Sequence, residues 1–207
     1  MVKLPLRGKD WVILDLHGYQ NDDKHYRYPV IMAKSDSFFI RATVTPDDTG
    51  NFVQSAIDLG AYVSALGKSV LRVHNIEFEW AQATDGAIPS GAPFMDAGVS
   101  GDAVWQLTTQ TQTSLVGLDS KAVIGKGMIW CHNQDGASAV PSNVYQDSHA
   151  PQHFSNGYLV AVETIYLGAQ ASANWAATSN LTVNMVLECS VETLSQAAAM
   201  ALSLSQQ

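Results

Sequence analysis

Residues 69–80 read SVLRVHNIEFEW. Their even positions are Val70, Arg72, His74, Ile76, Phe78 and Trp80, and their odd positions are Leu71, Val73, Asn75, Glu77 and Glu79. After Val73 one set is apolar and the other polar. Side chains alternate across a strand, so this pattern describes a strand with one face buried and one wet. Glu77 and Glu79, two apart on one face, would suit glycoside chemistry only with an opposing acid across a cleft, so they are read as the polar outer face. His74 falls on the inward set and is expected to be a hydrogen-bonded core histidine.

Similar stretches lie on both sides. Ser37–Thr45 alternates Phe38, Ile40, Ala42, Val44 with Phe39, Arg41, Thr43, Thr45, and the Pro46–Gly50 turn leads to a strand at Phe52–Leu59. Trp11–Leu16, Tyr28–Ala33, Ala103–Thr113, Lys121–His132, Gly157–Leu167 and Leu181–Cys189 complete the set. Ala103–Thr113, rich in Thr and Gln, is expected at a sheet edge or interface. Gly125 and Gly127 predict a bulge or a close backbone approach. Gly60–Lys68 reads as a helical turn or a loop, and Ala81–Asp102 and Asn133–Asn156 read as two long loops. With no βαβ alternation, the pattern predicts an all-β, two-sheet antiparallel sandwich of jelly-roll type, with an open barrel or immunoglobulin-like sandwich as the other solution. A single β-sandwich domain spanning 1–207 is expected.

The two ends differ from the body. Residues 1–10 carry Lys3, Arg7 and Lys9 and read as a basic N-terminal arm. Residues 190–207 change period: Leu194, Ala197, Ala198, Ala201 and Leu202 form one helical stripe, with Ser190 or Thr193 as cap. This C-terminal helical arm either packs on its own domain or docks on a neighbouring copy through Leu194, Ala198 and Leu202. The Met1 segment lacks a long apolar run and no stretch of 18 apolar residues exists, so neither a cleaved signal peptide nor a membrane span is expected.

Only 14% of the residues are charged and the net charge is −8. Nine of the eleven basic residues lie at or before Arg72, and none follows Lys126. A body of that charge repels phosphate, which excludes sequence-specific nucleic-acid binding as the main task. Cys131 and Cys189 sit in apolar runs without CxxC spacing and are expected as buried free thiols.

Catalytic fingerprints are missing. There is no GxSxG, Walker loop, HExxH or cupin HxH pattern, so no catalytic residue, cofactor or enzymatic activity is assigned. The weak metal candidates are His132, His149 and His153 with Asp147, and His17 and His25 with Asp22 and Asp23. Three function classes stay open: a self-assembling shell subunit, a non-enzymatic module binding carbohydrate or protein with its long loops, and a loop-built metal-dependent enzyme. Low charge, small polar residues and a nearly charge-free terminal arm favour the first, because large obligate interfaces are depleted in Lys and Glu.

The series SFFIRATVT, IDLGAYVSALGKSVLRVHNIEFEW, GYLVAVETIYL and LTVNMVLECSVETL resembles the single jelly-roll major capsid proteins of icosahedral internal-membrane viruses of archaea and thermophilic bacteria. The resemblance is one of pattern and size over most of the chain. It implies self-assembly with copies of itself into an icosahedral capsid, a second capsid protein beside it, a lipid membrane beneath, and a virion location after assembly in the host cytoplasm.

Overall fold

The computed structural model describes residues 2–5, 11–14, 36–46, 50–64, 66, 68–82, 99–133, 143–172 and 181–207. The chain divides into two compact units, Met1–Lys34 and Ser35–Gln207. In the first, β1 (Val2–Pro5) pairs antiparallel with β2 (Trp11–Leu14) in a two-stranded sheet. Part of the segment expected as a free basic arm is therefore a paired strand. The expected strand at Tyr28–Ala33 lies outside the described residues.

The second unit is a two-sheet sandwich. Its strands are β3 (Phe38–Val44), β4 (Val53–Asp58), β5 (Ser69–Gln82), β6 (Val99–Thr108), β7 (Val123–Asn133), β8 (Asn143–His149), β9 (Tyr158–Val160), β10 (Thr164–Ala171) and β11 (Leu181–Thr193). One sheet runs β3-β11-β5-β9 and the other β4-β10-β6-β7-β8, all neighbours being antiparallel. The pairs nest: β3 with β11, β4 with β10, β5 with β9, β6 with β7. A long hairpin rolled over so that its arms alternate between two sheets is the jelly-roll arrangement. The fold class expected from the sequence is thus the observed one, with β8 as an added strand.

Between the sheets lies a single large core. Trp105, Leu59, Leu71, Ile76, Leu107, Ile165, Leu167, Leu181, Met185 and Leu187 are fully buried in it. Phe78 of β5 meets Trp105 of β6 with ring centroids 4.9 Å apart, tying one sheet to the other. Gly127 lies under the Trp105 indole, where a Cβ would stand 2.5 Å from Nε1, so the close approach expected at this glycine is real. The expected bulge is there too: the β6–β7 register shifts between Leu107 and Thr108. Cys131 and Cys189 are buried free thiols.

Several boundaries differ from the sequence reading. Gly157–Leu167 is two strands in different sheets, because the chain bends at Val162 and Glu163, where the Glu163 carbonyl accepts from Leu59 N (2.8 Å). β6 is interior, between β10 and β7, not an edge strand. Its polarity has a different cause: buried Gln106 holds residues 114–116, donating to Ser114 O (3.2 Å) and accepting from Val116 N (2.9 Å). The second expected loop contains β8; of the first, residues 81–82 belong to β5 and residues 99–102 to β6, and residues 83–98 lie outside the described set. The segment expected as a helical turn or a loop begins with a turn at residues 60–63, closed by Tyr62 N and Val63 N on Leu59 O.

Candidate functional site: outer faces and edges of the sandwich

The C-terminal helix, α1 (Gln196–Ser205), packs on its own domain. Residues 190–193, expected in the arm, belong to β11. Ser195, and not Ser190 or Thr193, caps the helix by accepting from Ala198 N (3.2 Å). Ala199 is buried with Val70 and Ala161, and Leu194 and Leu202 pack partly buried against them. Ala197, Ala198 and Ala201 are exposed, so the buried stripe is 199, 202, 203 and 206, shifted from the expected one. Of the expected contact residues, Leu194 and Leu202 are thus engaged within the chain and Ala198 faces outward. Lys3 lies in β1 opposite Ile13, and Arg7 and Lys9 fall outside the described residues.

One residue locks the far end of the helix. Gln206 is 3% exposed. Its side-chain oxygen accepts from Ala161 N (2.8 Å), and its side-chain nitrogen donates to Leu159 O (2.7 Å). Its backbone carbonyl accepts from Thr109 Oγ1 (3.0 Å) and Gln110 Nε2 (3.1 Å). The same amide contributes a hydrogen bond to Tyr158, whose phenol burial pushes upward in pKa and this bond pulls back. A Gln near the end of a charge-free tail carries no sequence signal of this role.

The register break in β5 decides what its outer face presents. Cys189 faces Val73 and Glu188 faces Asn75, leaving His74 without a partner in the ladder. Leu71 and Val73 are inward before this bulge, Ile76 and Trp80 after it. The reversal corrects the placement of His74: partly buried, it stands beside Ser190 (Nε2 to Oγ 2.8 Å) rather than in the apolar core. Next to it Arg72 pairs with Glu192 through two nitrogens, Nη2 to Oε2 at 2.8 Å, and donates to Asn156 O. The Glu192 hydrogen bond raises the Arg72 pKa above its ordinary value, against the opposing effect of burial.

The histidines do not converge. His132 pairs with Asn143 and His149 with Lys126 along β7 and β8. Those positions are six residues apart, about 20 Å at the usual strand rise. His132 Nδ1 lies 2.8 Å from Ser100 Oγ, while His153 accepts from Ala150 N across the 3-10 turn Pro151–His153. Among the described residues no three His, Cys, Asp or Glu side chains are placed to hold a metal, so His132, His149 and His153 with Asp147 do not form the site the sequence allowed. His17, Asp22, Asp23 and His25 fall outside the described residues.

What the outer surface offers is apolar contact area. Phe39 (56%), Leu118 (52%), Tyr145 (55%), Phe154 (61%) and Leu204 (69%) are exposed large hydrophobics, spread over both sheets, the turns and α1. A groove of about 310 Å³ runs past Val104, Leu118, Lys126, Met128, Asp147 and His149. A more polar cleft of about 550 Å³ is bordered by Thr109, Gln110, Glu163, Tyr166 and Ser203. No helix among the described residues is long and apolar enough to cross a membrane.

The edge of β5 has its own geometry. β9 covers only Leu71–Val73. Further along, the Gln152 amide brackets Ile76 as a strand would, accepting from Ile76 N (3.1 Å) and donating to Ile76 O (3.0 Å). Hydrogen-bonding direction alternates along a strand, so the N–H and C=O groups of Phe78 and Trp80 point the same way as those of Ile76. No strand among the described residues pairs with them on that side. On the outer face of this stretch Glu77 and Glu79 are exposed, bonded to Asn75 (3.0 Å) and Asn184 (3.0 Å).

No protein-family profile matches the chain, and no curated protein matches it. Among solved structures it is similar to the Merkel cell polyomavirus VP1 unassembled pentamer, at 9% identity and a TM-score of 0.37 over 78% of this chain and 96% of that one. It is also similar to the Desmodium yellow mottle tymovirus structure, at 10% identity and a TM-score of 0.36 over 84% of this chain and 97% of that one. Likeness at this level adds no weight to the strand order, on which the fold assignment rests.

Proposed function

We propose that this protein is a structural subunit of a virus shell, assembling with copies of itself through the faces and edges of its jelly-roll unit. The observation that carries the reading is the surface: large apolar side chains stand exposed on several sides of a sandwich whose chain is only 14% charged. Interfaces between subunits are enriched in aromatic side chains and spare Lys and Glu, and the exposed Phe39, Tyr145 and Phe154 with the low charge fit that composition. The finer assignment, taken from the resemblance of the strand series, is an icosahedral capsid over an internal membrane, with a second capsid protein beside it, formed in the host cytoplasm. The subunit performs no chemical step in this reading. The shifted groups, Cys131, Cys189, Tyr158 and Arg72, owe their shifts to burial and local pairing.

The test is light scattering and negative-stain microscopy of the purified chain beside Phe154→Glu and Leu204→Glu. Rings, sheets or shells that both variants weaken are expected. A compact monomer at all concentrations refutes the reading.

The polar cleft at Glu163 and Tyr166 favours one second reading, a carbohydrate-binding module. It predicts a monomer that is retained on a glycan array and loses retention with Tyr166→Ala.

A further inference from the structure

Among the described residues, the edge of β5 at Phe78 and Trp80 is a place where the ladder lacks a strand. Three observations say what would fill it. The Gln152 amide already imitates one strand residue at Ile76, which shows that this edge is spaced for a partner. The exposed carboxylates of Glu77 and Glu79 make the rim of the edge acidic. Basic residues of this chain concentrate at its beginning: Lys3 lies in β1, and Arg7 and Lys9 fall in sequence between β1 and β2. A two-stranded hairpin is marginal alone in water and gains most by adding to a larger sheet.

We propose that the edge of β5 at residues 78–82 accepts a strand from the basic N-terminal hairpin of a second copy. The inference rests on the self-assembly reading above and names its contact. Phe78 and Trp80 supply two N–H donors and two C=O acceptors to the incoming strand, the usual currency of β-augmentation. Glu77 and Glu79 select a basic arrival and reject the acidic body of another copy. The sheet order becomes β3-β11-β5 followed by the partner's strand, and an edge that invites unspecific pairing is closed.

The experiment measures hydrogen exchange at the Phe78 and Trp80 amides of the full chain, dilute and assembled, together with charge reversal. Assembly is expected to slow both amides at least tenfold. Lys3→Glu/Arg7→Glu/Lys9→Glu is expected to weaken association on the order of tenfold, and adding Glu77→Lys/Glu79→Lys to the same chain restores it. Unchanged thermal unfolding of E77K/E79K excludes a folding defect as the cause. Assembled particles whose two amides exchange as in dilute protein overturn this contact and leave the shell reading standing. Protection independent of concentration also overturns it, since the covering strand is then the chain's own. Failure of the charge swap to rescue refutes the hairpin as partner. A monomer at every concentration overturns both readings.

Discussion

Replacing Gln206 by Ala separates the helix α1 from the sandwich without touching an apolar contact. The substitution deletes one acceptor and one donor at 2.8 and 2.7 Å. Ala161, whose N–H loses its partner, is 1% exposed. A buried group left unsatisfied costs about 1–3 kcal/mol, and the Leu159 carbonyl is only partly buried, so the sum is about 2–4 kcal/mol. The backbone carbonyl of residue 206 keeps its bonds to Thr109 and Gln110, which limits the loss to the side chain. Because α1 is held by a small cluster of its own, Val70, Ala161 and Ala199, the cost falls on helix docking rather than on the main core. Native-state hydrogen exchange reads this directly. Amides of Leu202 and Ser203 are expected to exchange about 30- to 700-fold faster at every 1.4 kcal/mol per decade, while those of Met185 and Leu187 in β11 stay as they were. Gln206→Glu keeps the acceptor for Ala161 and lacks the donor for Leu159, so it falls between. A change under threefold at the helix, or an equal change in β11, would refute the latch.

Two further outcomes follow from packing and burial. Gly127→Ala drives a Cβ to 2.5 Å from the ring of fully buried Trp105, whereas Gly117→Ala meets only the swinging carboxylate of exposed Asp119 at 2.3 Å. Urea unfolding should show about 1–3 kcal/mol lost by the first and under about 0.5 by the second, and equal losses would refute the distinction between rigid and flexible obstacles. Burial, with Glu188 beside it, pushes the Cys189 thiol up to about 12 from 9.0. The folded chain therefore holds a proton that the unfolded one releases above about pH 9, so this contribution is complete below that pH and is lost between there and about 12, at up to about 1.4 kcal/mol per pH unit. The stability difference between the wild type and Cys189→Ala, followed from pH 8 upward, should change along this slope; parallel curves would sink it.

Strand existence was legible because it rests on local alternation. Phe38, Ile40, Ala42 and Val44 face the core side as their period demands, as do Leu181, Val183, Met185, Leu187 and Cys189. Pairing was not legible at the same depth, since nothing in Leu181–Thr193 names β3 and β5 as its neighbours across more than a hundred residues. The roles of three glutamines were not legible in the sequence. Gln106, Gln152 and Gln206 look like surface or edge residues in composition, yet each spends its amide on backbone groups: Gln106 on residues 114 and 116, Gln152 on Ile76, and Gln206 on Leu159 and Ala161. Helix phase failed for a related reason: in QAAAMALSLS small residues occupy both faces, so hydrophobic period cannot choose between stripes one residue apart.

β5 shows how one strand can serve two cores and still leave an edge for assembly. Before His74 its outward Val70 belongs to the helix cluster while Leu71 and Val73 enter the main core. The bulge then reverses the parity, so Ile76, Phe78 and Trp80 line the core and the acidic pair Glu77 and Glu79 turns outward. Without that extra residue, the apolar set after Val73 would point at solvent and the glutamates at Trp105. The phase change was written in the sequence, as apolar odd positions up to Val73 and apolar even positions from Ile76, and only an inserted residue reconciles the two. The same insertion parts β5 from β9, whose pairing ends at Val73, and opens the edge that Gln152 covers at a single residue. A deletion of His74 is therefore expected to misfold the sandwich rather than trim a loop, giving insoluble protein, and a soluble, cooperatively unfolding deletion would refute this role for the bulge.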